Sequence, residues 1–220
     1  QCLFGIKRAV ENGDLPEERV NDAVRRLLCM KYDQGLFKNA GKMDPEKTRA
    51  IVRSKENIDF SWEVAHKALL VVRDDKKLLP LKKDKKILVI EQVIPYEFCG
   101  KDLYSHPHMF SEQMVKHSTN LILDDTSFCA DDDEVEEAMK LAKEVDLVVM
   151  TNYYARIEKK GNNTHLVKAL KAAGKSVVVV TNFPYRKGTT TGADAVICNF
   201  SGSPDSIRVS VDLLFGTIKP

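Results

Sequence analysis

The sequence predicts an α/β fold, a three-layer α/β/α sandwich built on a mostly parallel, five- to six-stranded sheet, and three observations carry that expectation. Val145-Asp146-Leu147-Val148-Val149-Met150 is a short apolar run, and Val177-Val178-Val179-Val180-Thr181 is a second one that is almost purely β-branched. Between them, His165 to Ala173 carries apolar residues at helical spacing and is rich in good helix formers. It ends at Gly174, which can take the left-handed conformation that closes a helix. Together they make a βαβ unit. Strands without polar alternation are buried on both faces, as in parallel sheets covered by helices on each side.

Composition sets the limits. The chain has 220 residues, 43% hydrophobic and 30% charged, and an open sheet of this size occupies about 150 residues, so the remaining ~70 need their own account. A net charge of +2, from 34 basic and 32 acidic residues, gives no electrostatic case for nucleic acid. No apolar run approaches the ~18 residues of a membrane span. Gln1 opens the chain without a methionine or a leader-like run, and the first residues read as the continuation of something earlier. Cys2, Cys29, Cys99, Cys129 and Cys198 are widely spaced and form no C-x-x-C pair. They are therefore expected to be buried free thiols.

Taken in order, Leu3, Phe4, Ile6, Ala9 and Val10 predict a short amphipathic helix stopping at Asn12-Gly13. Asp14, with Leu15-Pro16 behind it and Glu17 three residues on, predicts the capped start of a second helix. Its stripe of Val20, Ala23, Val24, Leu27, Leu28 and Met30 ends at Gly35. Asp44-Pro45 starts a third helix to about residue 54, and a fourth runs from Ile58 to Ala68. Leu69 to Arg73 turns through Asp74-Asp75 into Leu78 to Leu81, as a hairpin or bent strand. Lys86 to Ile90 is the first buried parallel strand, followed by an irregular segment from Glu91 to Pro107. Met109 to His117 is a short helix, Asn120 to Leu123 a strand, and Asp132 to Glu144 a helix with Val135, Ala138, Met139 and Ala142 inward. Ala195 to Asn199 is a further strand, and Ser203-Pro204 opens a last helix.

Candidate chemistry concentrates on the loop from Glu91 to His108, because loops leaving the carboxyl end of a parallel strand are where open α/β sheets place ligands. It carries Glu97, Cys99, Asp102, Tyr104, His106 and His108, and Glu97, Tyr104 and His106 are candidates for substrate contact, together with Arg156 and Lys160 after a later strand. No metal site is expected. His106-Pro107-His108 has no nearby trio of carboxylates, and Asp131-Asp132-Asp133-Glu134 sits at a helix start, where capping and the helix dipole explain it. Neither a Walker sequence nor G-x-G-x-x-G occurs, and no cofactor is expected.

Leu15-Pro16-Glu17-Glu18-Arg19-Val20-Asn21-Asp22-Ala23-Val24-Arg25-Arg26-Leu27-Leu28, followed by Lys31 to Phe37, resembles the last barrel helix and linker of glycoside hydrolase family 3. Ala65 to Arg73 leading to Leu78-Leu79-Pro80-Leu81 resembles that family's passage into its second domain, and Ala193 to Cys198 and Leu213-Leu214-Phe215-Gly216 continue the pattern. The compact stretch from Gln113 to Asp124 and the lack of a fibronectin-like insertion are similar to the β-N-acetylhexosaminidase branch. Asn182-Phe183-Pro184-Tyr185 resembles that branch's Pro-Tyr after the same strand, with Arg186 where its Asp would follow.

The resemblance implies residues 1–40 as the last helices and linker of a (β/α)8 barrel, and residues 41–220 as the C-terminal α/β sandwich. It implies a retaining glycosidase acting on terminal β-N-acetylhexosaminides, whose nucleophilic Asp and acid/base pair lie on the barrel and not in this chain. The partners implied are a carbohydrate substrate, met through the full-length enzyme, and the barrel domain, with no nucleic acid and no membrane span. Export or a cell-envelope location is implied more readily than the cytoplasm. Two alternatives stay open: a family 3 β-glucosidase-like domain in which Glu97 is the acid/base, and a non-catalytic α/β ligand-binding module.

Overall fold

The computed structural model describes residues 2–38, 41, 43–52, 54–93, 107–154, 162–185, 188 and 190–219. It divides into two compact units, Gln1–Ser54 and Lys55–Pro220.

In the first unit, α1 (Cys2–Glu11), α2 (Glu17–Asp33) and α3 (Pro45–Ile51) contain no buried residue. Asp14 does not cap α2. Pro16 takes the N-cap position with an extended backbone and offers no side-chain bond, so the helix begins at Glu17. Asp44 does cap α3, accepting from the backbone N–H groups of Glu46 and Lys47. The apolar stripe of α2, including Val24, Leu27 and Leu28, is exposed.

The second unit opens with α4 (Lys55–Ala68), β1 (Leu70–Asp74) and β2 (Ile87–Gln92). It continues with α5 (Met109–Met114), β3 (Leu121–Thr126), α6 (Asp132–Leu141), β4 (Leu147–Thr151), α7 (Thr164–Ala172), β5 (Ser176–Thr181), β6 (Ala195–Cys198) and α8 (Pro204–Leu214). The six strands form one sheet in the order β1-β6-β5-β4-β2-β3. All neighbours are parallel except β1, which runs antiparallel to β6 at the edge. Gly174 follows α7 at φ +80°, the left-handed closure expected of it.

Alternation along each strand assigns the core to two faces. Ile87, Val89, Val149, Val178, Val180 and Ile197 face one side, packed with Ala65 of α4, Phe110 and Met114 of α5, and Val211 and Leu214 of α8. Leu88, Ile90, Val148, Met150, Val177 and Val179 face the other, against Ala138 of α6 and Leu166, Val167 and Leu170 of α7. Each fully buried aliphatic side chain contributes about 1.5–3 kcal/mol relative to exposure. This two-sided burial is why the strands read as unbroken apolar runs.

Four further expectations need correcting. Leu78 to Leu81 forms no strand, so no hairpin arises; the Asp74 carboxylate accepts from the N–H groups of Leu78 and Leu79 and turns the chain away. β2 runs on through Glu91 and Gln92, which were expected to open the irregular segment. α5 stops at Met114, short of His117. Of the four described cysteines, Cys198 is buried and Cys129 intermediate, while Cys2 and Cys29 are exposed, because their helices have no buried face in their unit.

The run at residues 131–134 is a helix cap. Asp131 accepts from the N–H of Glu134, and Glu134 accepts from the N–H of Asp131, a reciprocal capping box.

Candidate functional site

From β2 the chain moves outward to β3 and then crosses back to β4 on the other side of β2. The carboxyl ends of β2 and β4 therefore flank a topological switch point, the position at which open α/β sheets bind ligands. A buried polar network lies there.

Glu91 and Gln92 end β2. The buried Glu91 carboxylate accepts from the backbone N–H groups of Phe110 (2.9 Å) and Ser111 (2.8 Å), tying the start of α5 to the strand. The Gln92 amide bridges neighbours on both sides: Nε2 donates to the Phe128 carbonyl (2.6 Å), and Oε1 accepts from the Tyr153 N–H (2.5 Å). Its own N–H donates to Thr151 Oγ1 (2.7 Å).

Asn163, just before α7, repeats the device. Its Oδ1 accepts from the Ala130 N–H (2.7 Å), its Nδ2 donates to Thr126 Oγ1 (2.7 Å) and the Ser127 carbonyl (3.3 Å), and its N–H donates to Asn152 Oδ1 (2.9 Å). After β5, Asn182 pairs with both backbone groups of Tyr154. After β6, Asn199 Nδ2 donates to Ser210 Oγ at 3.1 Å and lies 3.4 Å from the Tyr153 hydroxyl.

These groups are mostly neutral, and their hydrogen-bonding capacity goes to backbone and to one another, so they fix where loops leave the sheet. Burial pushes the Tyr153 phenol well above its ordinary range, so it stays a neutral hydroxyl. At the β3 end, a cavity of about 210 Å³ is lined by His108, Ser111, Glu112, Val115, Leu123, Asp124 and Asp125. Burial raises the Asp124 carboxyl there, against a backbone hydrogen bond from Asp125 that pulls it down.

Glu97, Tyr104, His106, Arg156 and Lys160 lie outside the described residues. His108 is described; it is exposed, at the N-cap position of α5, with φ +71°. The amide network was not singled out from sequence. Its signal is nonetheless visible, since an Asn or Gln falls at or just past the end of β2, β4, β5 and β6 (Gln92, Asn152, Asn182 and Asn199). Asn199 and Asn162, each heading an Asn-x-Ser/Thr triplet, are engaged internally: Asn199 is buried, and Asn162 Oδ1 accepts from the Thr164 hydroxyl (2.6 Å).

No protein-family model matches the sequence. A putative β-xylosidase of Formosa agariphila is 24% identical over 93% of this chain and 30% of its own length. A probable β-glucosidase C of Aspergillus flavus is 31% identical over 36% of this chain and 12% of its own. Among solved structures, a glycoside hydrolase family 3 β-N-acetylglucosaminidase from Paenibacillus sp. superposes with a TM-score of 0.68 at 19% identity, over 96% of this chain and 40% of the other. A β-glucosidase from Listeria innocua, in complex with isofagomine, superposes with 0.67 at 21% identity, over 96% and 32%. These likenesses show the fold, an α/β sandwich on a mostly parallel six-stranded sheet. The chain spans about a third of the length of the curated relative that matches most of it.

Proposed function

We propose that this chain is the C-terminal α/β sandwich of a retaining glycoside hydrolase that removes terminal β-N-acetylhexosaminides, with residues 1–40 as the last helices and linker of its barrel. The observation that carries this reading is the superposition of 96% of the chain on a family 3 β-N-acetylglucosaminidase. The Pro184-Tyr185 pair after β5 supports the same branch. In this reading the chain supplies no nucleophile. Its part is to hold loops at the carboxyl edge of the sheet, where the Gln92, Asn163 and Asn182 amides fix their departure points. The exposed stripe of α2 supports packing against a barrel.

A second reading, a β-glucosidase-like enzyme with Glu97 as its acid/base, is favoured by the likeness to the Listeria β-glucosidase. The two separate in one assay. The full-length protein carrying this chain is given aryl β-N-acetylglucosaminide, β-glucoside and β-xyloside, and the 220-residue chain is assayed beside it. The proposal expects turnover of the N-acetylglucosaminide by the full-length protein and none by the chain, since retaining hydrolysis needs a nucleophile beside the acid/base. Preference for the β-glucoside, abolished by Glu97→Gln, would establish the second reading instead. Turnover by the chain alone would sink both.

A further inference from the structure

The loops leaving β4 and β5 carry a row of aromatic rings. Tyr154 and Phe183 lie 5.3 Å apart between centroids with planes 29° from parallel, and Phe183 meets Tyr185 edge-on at 6.0 Å. The row stands on fixed backbone. Asn182 Oδ1 accepts from the Tyr154 N–H (2.8 Å) while its Nδ2 donates to the Tyr154 carbonyl (3.1 Å), so one side chain staples the two loops together. The hydroxyl of the buried Thr181 accepts from the Phe183 N–H (3.3 Å). Phe183 is 40% exposed and Tyr185 78%.

Single exposed aromatic residues are ordinary on protein surfaces. Three in succession, with Phe183 touching both tyrosines and a reciprocal amide joining the loops at the carboxyl edge of a parallel sheet, form a shaped surface. Its chemistry is specific. The rings carry negative π density without a formal charge, and two of them, Tyr154 and Tyr185, bear phenol hydroxyls. A β-linked pyranose with equatorial substituents is the complement: axial C–H bonds make its faces apolar and weakly positive, while its hydroxyls point outward to the rim. Pre-set aromatic walls with a few polar groups are how small-molecule sites bind and orient such a ligand.

We propose that Tyr154, Phe183 and Tyr185 form a stacking surface for the pyranose rings of a β-linked glycan. The glycan class rests on the glycosidase reading above; the surface itself rests on the ring geometry. Asn182 is its positioning residue, acting through Tyr154.

The test is a titration of the 220-residue chain with chitotetraose, cellotetraose and xylotetraose, followed by calorimetry and saturation-transfer NMR. The expected result is saturable binding of at least one, weakened about tenfold by Tyr185→Ala or Phe183→Ala. Tyr185→Trp should retain it, and Lys86→Ala, at the opposite edge of the sheet, should leave it unchanged. Far-ultraviolet circular dichroism confirms that each variant is folded, and Tyr185→Ala is the decisive one because that ring is mostly in solvent.

No binding of any of the three glycans, or equal binding by wild type and Tyr185→Ala, overturns the proposal. So does finding that the rings mediate self-association without binding sugar. Glycosidase activity of the full-length protein separates the two readings. An active enzyme whose chain shows no ring-dependent binding removes this surface and leaves the function. Ring-dependent binding by an inactive protein removes the function and leaves the surface.

Discussion

The two edges of the sheet are held by different chemistry. At the amino edge the fastenings are ionic. The Asp194 carboxylate, 8% exposed, accepts from Lys171 Nζ (2.6 and 2.8 Å), Lys76 Nζ (3.0 Å) and the Val177 N–H (2.8 Å), and Lys86 pairs with Glu144 at 2.7 Å. At the carboxyl edge Gln92, Asn152, Asn163 and Asn199 are all buried, and they make neutral bonds across β2, β3, β4 and α8. The one carboxylate of that network, Glu91, accepts from two N–H groups at a helix start, with no cation against it among the described residues. The difference follows from depth. A charge can be tolerated where its partners reach water, whereas an unpaired charge in a dry interior costs several kcal/mol. An amide both donates and accepts, so it can join two loops without that penalty. The consequence is that the amide fastenings of the loop-bearing edge carry no charge to titrate or screen, while the ion pairs of the opposite edge answer to both pH and salt.

The largest effect expected from this contrast is at Asn163. Alanine there removes one accepted and two donated bonds and leaves the Ala130 N–H and the Thr126 hydroxyl buried without them. Unmet buried groups cost about 1–3 kcal/mol each, so Asn163→Ala should lose about 3 kcal/mol in urea denaturation. That deficit should be the same at pH 5 and pH 8. A loss below about 1 kcal/mol would mean that water replaces the amide, and the distinction between the edges would weaken.

Much of the sheet was legible because burial on both faces leaves unbroken runs such as Val177 to Val180, and because caps are local: Asp44, Asp131 and Ser203 each accept from a backbone N–H two or three residues ahead. Asp14 failed as a cap because Pro16, nearer the helix, already has the extended backbone an N-cap needs. The ends of strands were harder. Glu91 and Gln92 look like loop residues, but partners 19 and 61 positions away accommodate them in the strand and its core, and no local pattern reports such partners. The site was partly legible for the same reason. The edge and its loops follow from topology, whereas the network that holds them is tertiary. Glu97, Tyr104, His106 and Arg156, outside the described residues, stay as sequence expectations.

Asp194 should show the next effect, and its pH dependence separates charge from packing. Burial alone would raise this carboxyl, but the bonds from Lys171, the Val177 N–H and Lys76 more than offset it and hold it below its ordinary value. A carboxyl depressed in the folded state stabilises the fold fully above its unfolded value of about 3.9, and that stabilisation is lost as pH falls through the lower folded value. Asp194→Ala should therefore lose about 2 kcal/mol at pH 7, with the deficit shrinking on acidification below about pH 4. A deficit that persists unchanged to pH 2 would assign the residue a packing role and erase the ionic character of that edge.

The smallest effect belongs to Lys86 and Glu144, and it tests whether depth or contact distance decides what an ion pair does here. Their side chains are 43% and 60% exposed, against 8% for Asp194, although the 2.7 Å contact is as short as those at Asp194. The Lys86 ammonium holds the Glu144 carboxyl below its ordinary value, first by its hydrogen bond and then by its charge. In water both groups are well solvated without each other, and salt screens what attraction remains. Lys86→Ala should therefore leave the urea midpoint unchanged at physiological ionic strength, while an NMR titration shows the Glu144 carboxyl moving up toward its ordinary value. If the midpoint instead fell as far as it does in Asp194→Ala, contact distance rather than depth would govern the amino edge, and the physical reason given for the two chemistries would fail.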